Sequence, residues 1–466
     1  METPTTPTDA LAALWGLAGQ PREALDAVEL TGAEPVLPSS FAVGTAAQAT
    51  IAAAALASAE LWRLRTGRQQ RVSVAMRDAA IEFRSEHYLR VDGKTTPPIW
   101  NKIAGLYRCG DGRWVRLHTN FPHHRDGVLK LLGCEHERAA VQRALDGWKG
   151  EDFETAAAEA GLVVTMTRSF PEWDRHGQGR ALATLPVFSI ERISDAPPKP
   201  LPAGERPLSG VRVLDLTRVI AGPVCGRTLA AHGAEVMLVT AAHLPQMGAL
   251  VIDSGRGKLS TFIDLREASG RATLSGLLRN ADIFVQGFRP GAVANTGFGP
   301  EQAAAVRPGI IYVSLSAYGH EGPWAGRRGF DSLVQNANGI NDAEAAAAGA
   351  AQPKPLPCQA LDHGAGYLMA FGAMTALARR VTEGGSWHVR VSLAQTGHWI
   401  RGLGRVANGL ACPDPGFEAV RDRLEEMDSG FGRLTTVRHA AVLSDTPAHW
   451  ARPSVPVGTH KPEWPV

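Results

Sequence analysis

The stretch PCQALDHGAG, Pro357 to Gly366, sets one carboxylate, Asp362, at the mouth of an apolar run, YLMAFGAMTALARR. Two chemistries fit that position. Aspartate is a preferred helix N-cap, because its side chain accepts from the free N–H groups of the first turn and its charge suits the helix dipole. A carboxylate is also a nucleophile toward activated acyl groups. The stretch alone does not choose between them.

Upstream, three glycine-containing turns carry cations. They are DSGRGKLS (Arg256 and Lys258), GFRPG (Arg289) and GRRGFDS (Arg327 and Arg328). Glycine permits close backbone approach and the cations suit phosphate, so together they point to a phosphorylated ligand. Singly, each also reads as a solvated turn. HTNFPHHRD, His118 to Asp126, holds three histidines without the carboxylate or cysteine spacing of a metal site, and reads as a solvated loop. Cys225 reads as a small packing residue, and TRVIAGPVCGRTLA lacks the G-x-G-x-x-G fingerprint of a dinucleotide site.

The elements that position these groups follow a β/α rhythm. VRVLDL, EVMLV, LSTFIDL, DIFVQGF and IIYVSLSAY read as strands, separated by short helical patterns. That alternation predicts a doubly wound parallel sheet, with ligands at the carboxyl ends of its strands. Those ends carry TRVIAGP, GFRPG and SAYGHEGP. A repeat also emerges: residues 45–76 align without gaps on 362–393, matching Ala53 with Ala370, Arg63 with Arg380 and Val72 with Val389. Each copy reads as helix, glycine turn and strand, and Thr45 stands where the second copy has Asp362. Thr can also cap a helix, so the scaffold position tolerates a neutral group.

Between the copies, LYRCGDGRWVRLH reads as a hairpin and is followed by helices, a small α+β domain. The predicted division is 1–84 (helical, first copy), 85–195 (small domain), 196–210 (Pro-rich linker), 211–400 (α/β domain with the second copy) and 401–466 (tail packing on the large domain). The 466 residues hold 48 basic and 46 acidic side chains, which argues against a nucleic-acid protein. Five scattered cysteines without a CxxC argue against a disulfide framework and fit a reducing cytoplasm. No signal peptide or membrane span is read.

GVRVLDLTRVIAGPVCGRTLAAHGAEVMLV, GRGKLSTFIDL, ADIFVQGFRPG, RPGIIYVSLSAYGHEGPWAGRRGFD and LDHGAG, in this order, resemble the class III CoA-transferases, a group that includes formyl-CoA and carnitine CoA-transferases and α-methylacyl-CoA racemases. The resemblance implies that coenzyme A or acyl-CoA is bound as a substrate, with no tightly bound cofactor and no metal. It implies CoA contacts at Ile220 and Ala221, at Ser254, Gly255, Arg256 and Gly257 with Lys258 beside them, at Gly287, Phe288 and Arg289, and at Arg328, Gly329, Phe330 and Asp331. It makes Asp362 the nucleophile, ionised by its helix start, with the His363–Gly364 turn offering N–H groups to an oxyanion. The partners implied are an acyl-CoA, a carboxylic acid and a second copy in a homodimer. Phe330 stands where the racemase branch has a histidine, which favours transferase over racemase. Thr240, Asn295 and the loop PPIWNKIAG depart from the family pattern, and the small domain precedes the CoA domain. Leu250, Val251 and Ile252 are expected to line an acyl pocket.

Overall fold

A computed structural model describes residues 4–465. Its centre is a seven-stranded sheet. In chain order the strands are β1 (Phe188–Ser194), β2 (Arg212–Leu216), β3 (Glu235–Thr240), β4 (Lys258–Phe262), β5 (Ile283–Gln286), β6 (Ile311–Ser316) and β7 (Ser386–Ser392). They lie in the order β4-β3-β2-β5-β6-β7-β1. All pair in parallel except β1, which runs antiparallel to β7. The strands read from sequence are the parallel ones, and their near-continuous burial matches a sheet covered on both faces. The chain reverses direction of growth between β2 and β5, and crevices open at such switch points.

β1 lies inside the 85–195 segment by sequence, yet the structure places it on the large sheet, with Ile190 opposite Val389. It covers the edge that β7 would otherwise leave unpaired. The segment before it forms its own three-stranded sheet, including the hairpin Gly105–Arg108 with Trp114–Leu117. The tail first builds a hairpin, Leu424–Ser429 with Gly432–Val437, against Arg90–Val91. It then follows the large domain, where the Trp464 indole N–H donates to the Leu277 carbonyl.

The repeat is structural. Helix α1 (Val43–Thr66) precedes strand Val72–Ala75; helix α4 (Ala360–Glu383) precedes β7. Val28–Thr31 runs parallel to Val72–Ala75, and Ala441–Leu443 runs antiparallel on its other side. This reproduces the β6-β7-β1 edge of the large sheet in miniature. The two helices pack on each other, and α1 contributes a run of buried alanines, Ala46, Ala47, Ala49 and Ala53, that permits close approach.

Glycine sets the depth of α4. Helix α2 (Ala221–Ala231) crosses it so closely that a Cβ on Gly366 would lie 2.5 Å from the Ala221 carbonyl oxygen and 2.8 Å from Val224. Gly366→Ala should therefore cost about 1–3 kcal/mol, the range for overpacking, read as a lower denaturant midpoint at unchanged slope.

Candidate active site

Asp362 lies in the first turn of α4, one residue after Leu361, in a helix whose opening residues are fully buried. The expectation that Asp362 caps this helix is corrected by the hydrogen bonds. Asp331, the first residue of helix α3 (Asp331–Ala337), reaches across, and its Oδ2 accepts from the Leu361 N–H at 2.8 Å and the Asp362 N–H at 2.9 Å. Its other oxygen accepts from the Gln335 side chain. The helix-start dipole is therefore spent on Asp331. No hydrogen bond to the Asp362 carboxyl occurs among the described residues, and the group is 7% exposed. The N–H of His363 is also committed, to the Gln359 carbonyl inside the helix, so the expected oxyanion turn is absent.

Electrostatics follow from this division. Burial raises Asp331 to about 6, against the hydrogen bonds that favour its charge. Burial, then Asp331, then Glu86 push Asp362 well above the usual carboxylate range. This too corrects the sequence expectation, in which the helix start held Asp362 ionised. Asp331 ionises first because two main-chain N–H groups and the Gln335 side chain replace the water it has lost, whereas the Asp362 carboxyl has no such donors among the described residues. In Asp331→Asn the amide oxygen still accepts those N–H bonds, but the like charge is gone. The rising limb of the pH profile for Asp362 acylation should move to lower pH, read in single-turnover assays.

Asp362 borders a cavity of about 470 Å³ at the carboxyl ends of the parallel strands. Of the residues implied by resemblance, Ala221, Gly287, Phe288, Arg289, Arg328, Gly329 and Phe330 share this lining with Asp362. Arg289 is exposed on the loop after β5. Arg328 donates to the Gly161 carbonyl at 3.0 Å, tying the rim to the small domain. Ile220 is buried just before α2, behind the wall.

The DSGRGKLS turn lies elsewhere. The Lys258 ammonium sits 2.8 Å from Asp215 Oδ2 and donates to the Pro223 carbonyl, 2% exposed. Arg256 is fully buried, bonded to the Val437 carbonyl at 2.7 Å and stacked 3.9 Å over Trp450. Gly257 adopts φ +79°, and a Cβ there would meet Ala230 at 2.7 Å. Ser254, Gly255 and Lys258 line a small cleft of about 30 Å³ that shares Phe121, Arg218, Val219 and Pro245 with the main cavity. Leu250 and Val251 line the same cleft, whereas Ile252 turns away to pack with Leu89 and Leu434.

The histidine loop is the largest departure from the sequence reading. His118 and His124 are each 4% exposed, and His118 stacks on Phe330 with ring centroids 3.9 Å apart. Phe121, His123 and His124 line the Asp362 cavity. Burial depresses both His118 and His124 to about 3, so both imidazoles are neutral at pH 7. The available signal was Phe121 directly before a helix-starting Pro122, an aromatic that a solvated turn has no reason to carry.

The start of the first repeat copy is closed among the described residues. The Thr45 N–H donates to Glu34 Oε1 at 2.7 Å, so Glu34 does there what Asp331 does in the second copy. Val36 closes over the helix start: a Cβ on Gly44 would lie 2.4 Å from it. Thr45 is 1% exposed.

A family model described as CoA-transferase family III matches residues 14–198 and 208–407, and the chain belongs to that family. Each matched stretch contains one copy of the repeat, residues 45–76 in the first and 362–393 in the second. Among curated relatives, the chain is similar to the acetyl-coenzyme A transferase nodX of Hypoxylon pulicicidum, 36% identical over 64% of this chain and 54% of the relative. It is also similar to the "Probable fatty acyl-CoA transferase Rv3272" of Mycobacterium tuberculosis, 29% identical over 53% of this chain and 68% of the relative. A crystal structure of Rv3272 aligns at 30% identity over 42% of this chain and 57% of that chain, with a TM-score of 0.40. The chain thus spans roughly half of the first relative's length. Among the described residues no helix is long and apolar enough to cross a membrane.

Proposed function

We propose that this chain is an acyl-CoA:carboxylate CoA-transferase with Asp362 as its nucleophile. The observation that carries the reading is a carboxyl group without a hydrogen-bond partner among the described residues, bordering a cavity at the switch point of a parallel sheet whose rim holds Arg218, Arg289, Arg327 and Arg328. Ala221, Gly287, Phe288, Arg289, Arg328 and Gly329 receive the CoA, with the exposed Arg289 set toward phosphate. Ile220 and residues 254–258 support that wall from behind.

The chemistry closes without a proton acceptor. The Asp362 carboxylate attacks the thioester carbonyl, the C–S bond breaks, and CoA leaves as thiolate from a mixed anhydride. The thiolate attacks the aspartyl carbonyl, releasing the donor acid and leaving an aspartyl-CoA thioester. The acceptor carboxylate attacks that thioester, giving a second anhydride and thiolate. Thiolate attack on the acceptor's acyl carbon forms the new acyl-CoA and restores Asp362. The raised affinity of Asp362 for a proton makes its carboxylate the better nucleophile once ionised. A cytoplasmic setting and a homodimer belong to the same proposal.

Racemisation needs a proton donor and a proton acceptor on opposite faces of an α-carbon; Phe330 offers neither, and burial depresses His124 to about 3, which leaves its imidazole a weak base. A transfer assay separates the two. With an acyl-CoA and an isotopically labelled acid, labelled acyl-CoA should form without net CoA release. Exchange of the α-proton with deuterated solvent in the absence of transfer would reject the reading.

A further inference from the structure

One part of the Asp362 cavity has no use in the transfer steps. Phe121 and Phe330 face it with rings 5.9 Å apart, and His124 stands edge-on to both, at 5.9 Å from Phe121 and 6.1 Å from Phe330. The Phe330 ring is held in place by the His118 stack. Both ring nitrogens of His124 are buried without a hydrogen-bond partner, in a residue 4% exposed that lines the cavity. Buried polar atoms in folded proteins are nearly all paired, with protein, ordered water or ligand, so an imidazole with neither nitrogen bonded by the chain is open to a partner from the cavity. The surrounding rings favour a flat apolar group, which stacks or meets them edge-to-face. Arg218 stacks 4.9 Å from the Phe121 centroid and fixes that side of the box.

We propose that this aromatic box receives the acyl portion of the substrate and selects planar, aromatic acids bearing a polar substituent, which hydrogen-bonds His124. The inference rests on the reading of Asp362 as the acylated residue and adds the substrate class. A neutral imidazole offers one donor and one acceptor, so it suits a hydroxyl group, which is both. Linear aliphatic acids would fill the box poorly and leave His124 unpaired.

The test measures binding apart from chemistry. The full chain and its His124→Phe and His124→Asn variants are titrated calorimetrically with benzoate, the three hydroxybenzoate isomers and hexanoate. In the wild type, at least one hydroxybenzoate should bind about tenfold more tightly than hexanoate. His124→Phe should weaken that isomer about tenfold, one hydrogen bond's worth, and leave benzoate within about threefold. His124→Asn should restore part of the loss. Equal affinity for hexanoate and every hydroxybenzoate, or equal loss of benzoate and hydroxybenzoate in His124→Phe, would overturn the proposal. Aspartyl labelling by the matching CoA thioesters is then followed in the same proteins. Selective binding with no label on Asp362 would leave the box standing and sink the nucleophile; label without selectivity would do the reverse.

Discussion

Asp362→Asn is expected to abolish CoA transfer, by about a thousandfold or more, while making the protein harder to melt. The first half follows from covalent catalysis, because an amide cannot form the anhydride. The second follows from linkage. Asp362 binds its proton more tightly in the folded chain than in the unfolded one, because burial, Asp331 and Glu86 all oppose its charge. As pH rises above the ordinary carboxylate value, the unfolded chain gives up the proton while the folded chain keeps it. Stability falls across that window, and above the folded value the full penalty is present. Asparagine is neutral throughout, so the variant escapes the penalty. Its melting temperature should exceed the wild type's at pH 8 and approach it near pH 3. Equal melting curves at both pH values would show that the carboxyl is not held as described. The expected trade is that of a functional group kept at the expense of stability.

Lys258→Ala is expected to have the other large effect, and on folding rather than on binding. Lys258 and Asp215 are 2% and 0% exposed and 2.8 Å apart. Removing the ammonium leaves a buried carboxylate whose remaining side-chain hydrogen bond among the described residues is from the Thr217 hydroxyl. Breaking one side of such a pair costs about 3–5 kcal/mol. Arg289→Ala supplies the contrast. Arg289 is exposed, and no salt bridge or hydrogen bond ties its side chain among the described residues. That variant should melt within about 0.5 kcal/mol of the wild type and weaken CoA binding instead. Chemical denaturation and CoA titration on both variants separate the roles. If Lys258→Ala folded normally but lost CoA, the cation would belong to the ligand and not to the scaffold.

The comparison of these two cations shows where sequence reasoning stopped. DSGRGKLS and GFRPG look alike as strings, each a basic glycine turn beside a strand. Their fates differ because Asp215 lies 43 residues before Lys258 and turns inward beside it. Pairing at that separation has no local signature. The same holds for Asp331, which caps α4 from 31 residues upstream. The local signal for a cap pointed at Asp362, the nearest carboxylate in sequence, and so misassigned the role. The sheet, by contrast, was readable, since buried parallel strands leave contiguous apolar runs and their connections are short. The strand Phe188–Ser194 escaped that rule because its burial is partial and it pairs antiparallel at an edge. The histidine loop was misread for a related reason: the surface that buries it, Phe330, comes from the other half of the chain. Resemblance alone singled out Asp362 as the nucleophile; the structure shows that Asp331, and not Asp362, accepts from the first N–H groups of α4.

The central claim is that the Asp362 carboxyl becomes covalently bonded during turnover. Its most direct test is peptide mass spectrometry after mixing the protein with an acyl-CoA and quenching with hydroxylamine, which cleaves an aspartyl thioester or anhydride to a hydroxamate. The account predicts a hydroxamate on Asp362, formed only when acyl-CoA is present and missing from Asp362→Asn. Transfer activity with no modification at Asp362, or a hydroxamate at another carboxylate that survives in Asp362→Asn, would contradict it.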